Sequence, residues 1–192
     1  EGQPIRVERQ STGIYAVILE GLARDAVPGS GPDVFHVSAY GEGTTWCKIS
    51  NWGSLGDTGH LQVTVLCFSA GGIAADAPFS ILMLERERTG KRLGFIWANQ
   101  PAAVVQYAPS VAYSYNSASQ TNLVTRANPG VYTATWTGLD RLTPGETNLI
   151  TAYGNDATYC QVGGWNVVST TFRCFAPNGD PTDSRFTGIW VE

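Results

Sequence analysis

Hydrophobic residues along the chain occur in short runs rich in β-branched and aromatic side chains, separated by clusters of Gly, Pro, Asn and Asp. Such runs predict β-strands, whereas the 3.6-residue period of amphipathic helices is nearly absent. The alternation is clearest where Val63, Val65 and Cys67 share one face of a strand. The predicted strands are residues 14–20, 34–39, 46–49, 61–68, 79–84, 95–98, 111–115, 131–137, 148–153, 159–162, 169–175 and 186–191.

The same motifs occur twice in the same order, which indicates an internal repeat. The matched motifs are Gly13-Ile14-Tyr15 with Gly130-Val131-Tyr132, Ala39-Tyr40-Gly41 with Ala152-Tyr153-Gly154, and Cys67-Phe68 with Cys174-Phe175. Their spacing falls from 117 to 113 to 107 residues, so the second copy has the shorter loops. We predict a first β repeat in residues 1–90 and a second in residues 91–192. Residues 85–121 have no counterpart in the first copy and would add N-terminal strands to the second.

Each copy contains one pair of cysteines at matched positions. We therefore predict the disulfides Cys47–Cys67 and Cys160–Cys174, both within a repeat. Disulfides persist in oxidising compartments, so the pairing predicts a secreted, extracellular protein.

These patterns predict an all-β fold. Two homologous antiparallel β-sandwich-like units, disulfide-bonded and related by a pseudo-twofold axis, are favoured, and one β-barrel shared by both copies is the alternative. The motif string G-x-Y-x-x-x-x-x-G-L, then A-Y-G, Cys, Trp, C-F and a late Phe covers roughly residues 5–84 and 94–191. It resembles tandem β-rich repeat proteins secreted by bacteria, a group without an assigned function. The resemblance implies secretion and a β fold and transfers no site residue.

Charged residues make up 15% of the chain and the net charge is -4. Without a basic cluster, nucleic-acid binding is not expected. Hydrophobic runs are too short for a membrane span. The two histidines, His36 and His60, are not spaced as metal ligands, so we expect neither metal nor cofactor.

A catalytic set is not recognisable, which favours a binding role over an enzyme. A hydrolytic triad needs a histidine base, but His36 lies within a predicted strand and His60 begins one. Asp76 and Asp183 are the obvious carboxylate pair. They occupy matched positions before the last strand of each repeat, so an Asx-turn role is expected.

Aromatic side chains outside the shared motifs are the candidate site. The predicted ligand-binding residues are Trp97, Tyr113, Tyr115, Asn116 and Trp136. The first four lie in the unmatched middle segment, and Trp136 replaces a leucine of the first repeat. Aromatic rings beside amide and hydroxyl groups suit stacking on sugars and hydrogen bonding to them. The competing interpretation is that these rings form a second sheet face in the core.

The function predicted from these features is a secreted, non-catalytic binding module whose leading ligand class is carbohydrate. The alternative is a secreted inhibitor or interaction protein that docks on another extracellular protein, for which the Gly-, Pro- and Ser-rich residues 25–33 offer a surface. An enzyme with an unfamiliar active site is the third hypothesis.

Overall fold

The computed structural model of the chain describes residues 3–23, 33–86, 92–139 and 145–192. Two short 3-10 helices lie in these ranges, Ala70–Gly72 and Val111–Tyr113, and neither is long and apolar enough to cross a membrane. The described strands are β1 Ile5–Ser11, β2 Ile14–Leu19, β3 Asp33–Ala39, β4 Trp46–Ser54, β5 Leu61–Ser69, β6 Ile73–Ala74, β7 Phe79–Glu85, β8 Leu93–Ala98, β9 Tyr115–Asn116, β10 Leu123–Asn128, β11 Val131–Thr135, β12 Thr147–Tyr153, β13 Tyr159–Trp165, β14 Ser169–Phe175 and β15 Arg185–Val191.

The strands form two sandwich-like units, each with its own hydrophobic core. In the first unit, the strands β1-β2-β5-β4 share a core with the pair β3-β7. In the second, β10-β11-β14-β13 share a core with β12-β15, which β8 and β9 extend. All pairings within a unit are antiparallel. The predicted all-β, sandwich-like fold is confirmed, and among the described strands the sheets stay open rather than closing into the alternative barrel.

Both predicted disulfides are confirmed, Cys47–Cys67 between β4 and β5 and Cys160–Cys174 between β13 and β14. Each joins residues that lie directly opposite in their strand pair. The alternation found in the sequence explains this placement, because Val63, Val65 and Cys67 are all buried in the first core. Closing loops of this size stabilises each unit by about 3 kcal/mol in the chain-entropy model.

Positions that hold the same register in the two units are called matched below. Arg9 lies opposite Tyr15 and Arg126 opposite Tyr132, and a β-bulge follows each pair. The Asp76 carboxylate accepts hydrogen bonds from the Arg9 side chain, the Tyr15 hydroxyl and the Gly13 backbone N–H. The Asp183 carboxylate accepts the same three bonds in the second unit, from Arg126, Tyr132 and Gly130.

These hydrogen bonds lower the pKa of both carboxyl groups. For Asp76 the bond from Arg9 is the main cause, and for Asp183 the bonds from Arg126, Gly130 and Tyr132 outweigh the opposing effect of burial. The two aspartates therefore tie the β1-β2 or β10-β11 hairpin to the segment before the last strand. This structural role replaces the expected Asx turn for Asp76 and Asp183.

The glycine of each hairpin is required by close backbone approach. Gly13 and Gly130 both have φ of +69°, a left-handed conformation. A Cβ at Gly13 would lie 2.5 Å from the Cys67 carbonyl oxygen, and one at Gly130 would lie 2.4 Å from that of Cys174. Any side chain there would push the hairpin away from the disulfide-bonded strand.

The units meet along β3, β4, β12 and the β12–β13 loop. Tyr153 pairs with Ile49 in a single parallel bridge between β12 and β4. The Lys48 side chain is fully buried, and its Nζ contacts Asp156 Oδ1 at 2.6 Å and Thr158 Oγ1 at 2.9 Å, both in the second unit. The Thr151 hydroxyl on β12 accepts a 2.9 Å hydrogen bond from the Val37 N–H on β3. Polar contacts, and not apolar packing alone, fix how the units sit together.

Matched tryptophans and tyrosines differ in burial in two of the pairs. Trp52 is 9% exposed within the first core, whereas its counterpart Trp165 is 56% exposed near the end of β13. Tyr153 is half-buried against Trp52, whereas its counterpart Tyr40 is exposed. The two units share a backbone plan but differ in which aromatic rings they bury.

Candidate functional site

A cavity of about 240 Å³ opens between the two units. Its walls come from β3 and β4 of the first unit and β12 and β13 of the second, so neither unit forms it alone. The described lining residues are His36, Val37, Ser38, Ala39, Thr45, Trp46, Cys47, Ile150, Thr151, Ala152, Tyr159, Cys160 and Gln161.

Most of the lining consists of matched positions from the two units. Residues 37–39 are matched by 150–152, and Trp46 and Cys47 are matched by Tyr159 and Cys160. The symmetry fails at His36, whose counterpart is Leu149, and at Gln161, whose counterpart is Lys48. The cavity therefore has one wall with an imidazole and another with an amide.

Two aromatic rings line the cavity side by side. The ring centroids of Trp46 and Tyr159 are 5.2 Å apart, and both side chains are half-buried. Each ring rests against the phenylalanine opposite it in its own strand pair, Trp46 on Phe68 and Tyr159 on Phe175. A row of four rings thus crosses the boundary between the units, and its two central members border the cavity.

The imidazole of His36 is held in place by Thr151. His36 Nδ1 lies 2.7 Å from Thr151 Oγ1, across the boundary between the units. Burial lowers the pKa of His36 from 6.5 to about 4, so the ring is neutral at neutral pH. The cavity therefore presents a neutral imidazole.

The His36–Thr151 pair has the geometry of a base and a hydroxyl nucleophile, but the surroundings assign it a structural role. Thr151 is buried, and its hydroxyl also contacts the Val37 N–H and the Val37 carbonyl oxygen. A catalytic hydroxyl must reach substrate. This hydroxyl instead bridges the backbone of β3 to β12.

No family model, curated protein or solved structure matches this chain. The resemblance to tandem β-rich repeat proteins secreted by bacteria therefore stays a prediction.

Two of the predicted ligand-binding residues, Trp136 and Asn116, lie in the core. Trp136 is 1% exposed, and its indole N–H donates to Thr170 Oγ1 at 2.8 Å. Asn116 is buried, and its amide bonds to Asn122, the Thr137 carbonyl and the Ala118 N–H. Side chains whose polar atoms are satisfied inside the protein have nothing left to offer a ligand.

The other three predicted residues are half-buried and do not form one surface. Trp97 and Tyr113 pack with Trp52 and Tyr153, with ring centroids 5.0 to 6.0 Å apart. Tyr115 lies against Phe95 in a separate cluster. The expected strand over residues 111–115 is a 3-10 turn followed by β9, so Tyr113 and Tyr115 are not neighbours on one strand face.

Residues 25–32 of the predicted docking loop 25–33 lie outside the described residues.

The residues that the sequence interpretation missed are those of the cavity. In the sequence, Trp46 and Tyr159 are aromatic at matched positions, and His36 has Leu149 as its counterpart, but neither feature shows that these residues meet at a cavity.

Proposed function

We propose that this protein is a secreted, non-catalytic binding module that takes a single sugar residue of a glycan in the cavity between its two units. The observation that carries the proposal is the pairing of two aromatic rings, Trp46 and Tyr159, at the edge of an uncharged polar cavity.

The chemistry of the lining favours a neutral ligand rich in hydroxyl groups. None of the described lining residues is Asp, Glu, Lys or Arg, and His36 is neutral. An ionic ligand would lose its hydration without gaining a counter-charge. Hydroxyl, amide and imidazole groups from Ser38, Thr45 and Gln161, together with His36, supply hydrogen-bond partners of both kinds. The C–H face of a sugar ring can stack on the indole or the phenol.

The size of the cavity favours one sugar residue over a longer chain. Its volume of about 240 Å³ is below the roughly 300–1,000 Å³ of pockets that enclose drug-sized ligands. The ligand is therefore a monosaccharide or the terminal residue of a glycan, with the remaining glycan outside.

Two disulfides support the extracellular part of the proposal. Both bonds are intact in the fold, and disulfides of this structural kind persist in oxidising compartments. A protein in the extracellular space would also be exposed to free glycans and to surfaces that carry glycans.

The experiment is a glycan array followed by calorimetric titration of any ligand it finds. Gln161→Ala removes an exposed amide at the cavity without disturbing the core, and Trp46→Ala removes one ring. We expect each variant to weaken binding, Trp46→Ala by about tenfold or more, because aromatic anchors dominate binding energy.

Trp165→Ala is the matched control, since it also removes a tryptophan ring but lies outside the cavity. It should bind as the wild type does. Absence of binding to any glycan, or equal losses in Trp46→Ala and Trp165→Ala, would contradict the proposal. Thermal unfolding of each variant separates lost binding from lost structure.

A further inference from the structure

One edge of the second unit is covered by its own chain, whereas the matched edge of the first unit is bare. Val124 on β10 is 0% exposed and its counterpart Val7 on β1 is 56% exposed. All seven residues of β1 are exposed. Tyr132 is fully buried, and its counterpart Tyr15 is only partly buried. The two edges therefore differ in their cover, although both have a valine at this position.

The cover of the second unit is the segment that leaves β8. Tyr107 and Val124 exchange two backbone hydrogen bonds, of 3.0 and 2.8 Å, in a short antiparallel bridge. The Tyr107 ring packs on the second core. The Tyr132 hydroxyl lies 3.0 Å from the Pro101 carbonyl oxygen. Residues 101–107 thus cover the β10 edge, with one antiparallel bridge at Tyr107 that continues the backbone hydrogen bonding of the sheet.

The first unit presents the same groups in the same register. Val7 lies opposite Val17 as Val124 lies opposite Ala134, so the N–H and C=O of Val7 point outward from the sheet. Beside Val7, the rings of Tyr15 and Phe79 are in edge contact at 5.2 Å, as those of Tyr132 and Phe186 are at 5.1 Å. Within the described residues, β1 pairs with β2 alone.

We propose that the β1 edge of the first unit binds an extended segment of a partner polypeptide by strand addition. The segment pairs with the backbone of Val7 and places an aromatic ring where Tyr107 lies on the second unit. Main-chain hydrogen bonds would supply affinity, and contact of the aromatic ring with the partly buried Tyr15 would supply specificity.

A second copy of this chain fits the edge less well than a foreign segment. The sequence of β1, Ile-Arg-Val-Glu-Arg-Gln-Ser, contains no aromatic residue, so pairing of two β1 edges would leave Tyr15 without the ring that covers its counterpart. Residues 101–107 of a second copy are already engaged on their own β10. The edge also has three charged residues, Arg6, Glu8 and Arg9, which oppose aggregation through exposed edges.

The probe is the peptide Asn-Gln-Pro-Ala-Ala-Val-Val-Gln-Tyr-Ala, which copies residues 99–108. Binding to the full chain is followed through backbone amide shifts. We expect the shifts to move around Val7 and Tyr15, with a dissociation constant of about 1 mM or below, since few hydrogen bonds and one ring must offset the entropy of association. The same peptide with alanine in place of Tyr107 should bind at least about tenfold more weakly.

Val7→Pro removes the outward N–H at an edge position where proline is tolerated, and Val7→Thr keeps it. We expect the proline variant to lose peptide binding by about tenfold or more and the threonine variant to keep it within a few-fold.

Four results would overturn the proposal: no shifts at about 5 mM peptide, shifts at Val124 instead of Val7, equal binding by the alanine peptide, and a dimer whose formation Val7→Pro abolishes. The alanine peptide keeps the test decisive even if Val7→Pro fails to fold. Because the β1 edge and the cavity share no residue, neither proposal depends on the other.

Discussion

The stability of the protein should depend on pH through His36, and His36→Leu should remove that dependence. Leu149 occupies the matched position of the second unit, so the sandwich already accommodates leucine there. Burial lowers the pKa of His36 from 6.5 to about 4 in the folded protein. The unfolded chain therefore binds a proton between pH 6.5 and 4 that the folded chain does not.

The sign and size follow from proton linkage. Stability from the neutral imidazole is complete above pH 6.5, falls as the pH drops from 6.5 towards 4, and is lost below about pH 4. At about 1.4 kcal/mol for each pH unit, the loss totals about 3 kcal/mol.

The assay is urea unfolding of wild type and His36→Leu at several pH values from 7.5 to about 4. The difference between their free energies of unfolding cancels the carboxyl groups, which titrate in both proteins. As the pH falls from 7.5 to about 4, we expect the free energy of unfolding of the wild type to decrease by about 3 kcal/mol more than that of His36→Leu. A difference that is constant with pH would refute the reasoning, because it would mean that His36 is protonated equally in the folded and unfolded states.

Two further comparisons use matched positions as internal controls. Trp52→Ala should lower the free energy of unfolding by about 3–5 kcal/mol, because Trp52 is buried, whereas Trp165→Ala on the surface should cost less than about 1 kcal/mol in the same urea titration. Asp183→Asn should lower the thermal midpoint more than Asp76→Asn, because the Asp183 cluster is less exposed. A carboxyl group whose pKa is lowered in the folded protein stabilises the fold at pH 7 and loses this contribution as the pH falls. In both asparagine variants, the thermal midpoint should therefore fall less between pH 7 and pH 3 than it does in the wild type.

Features set by local alternation were predictable from the sequence. The buried face of β5 and both disulfides follow from residues two apart on a strand and from matched cysteines. The strand β1 was missed because its sequence is largely polar, as suits a strand at a sheet edge. The strand β10, Leu-Val-Thr-Arg-Ala-Asn, was missed because its polar and apolar residues do not alternate. Residues 111–113 turn instead of extending, and the Ser110 hydroxyl accepts the Ala112 N–H at the start of that turn.

The site was not predictable for a different reason. An aromatic ring that replaces an aliphatic residue between repeats was interpreted as function, but Trp136 fills the core as its counterpart Leu19 does. Its indole N–H is satisfied because Thr170 happens to lie within reach. The cavity arises where two units pack, and no pattern along one strand records that packing. Contacts across the boundary between the units, such as those of His36 with Thr151 and of Trp46 with Tyr159, reveal it.

The comparison of matched positions separates what holds the fold from what can bind. The hairpin glycines, the Asp76 and Asp183 clusters and both disulfides are the same in the two units, and each has a structural task. The cavity lining contains unlike pairs as well as like ones: Trp46 matches Tyr159, whereas the counterparts of His36 and Gln161, which are Leu149 and Lys48, do not line it. Because His36 comes from the first unit and Gln161 from the second, the two walls would present different polar groups to the proposed ligand.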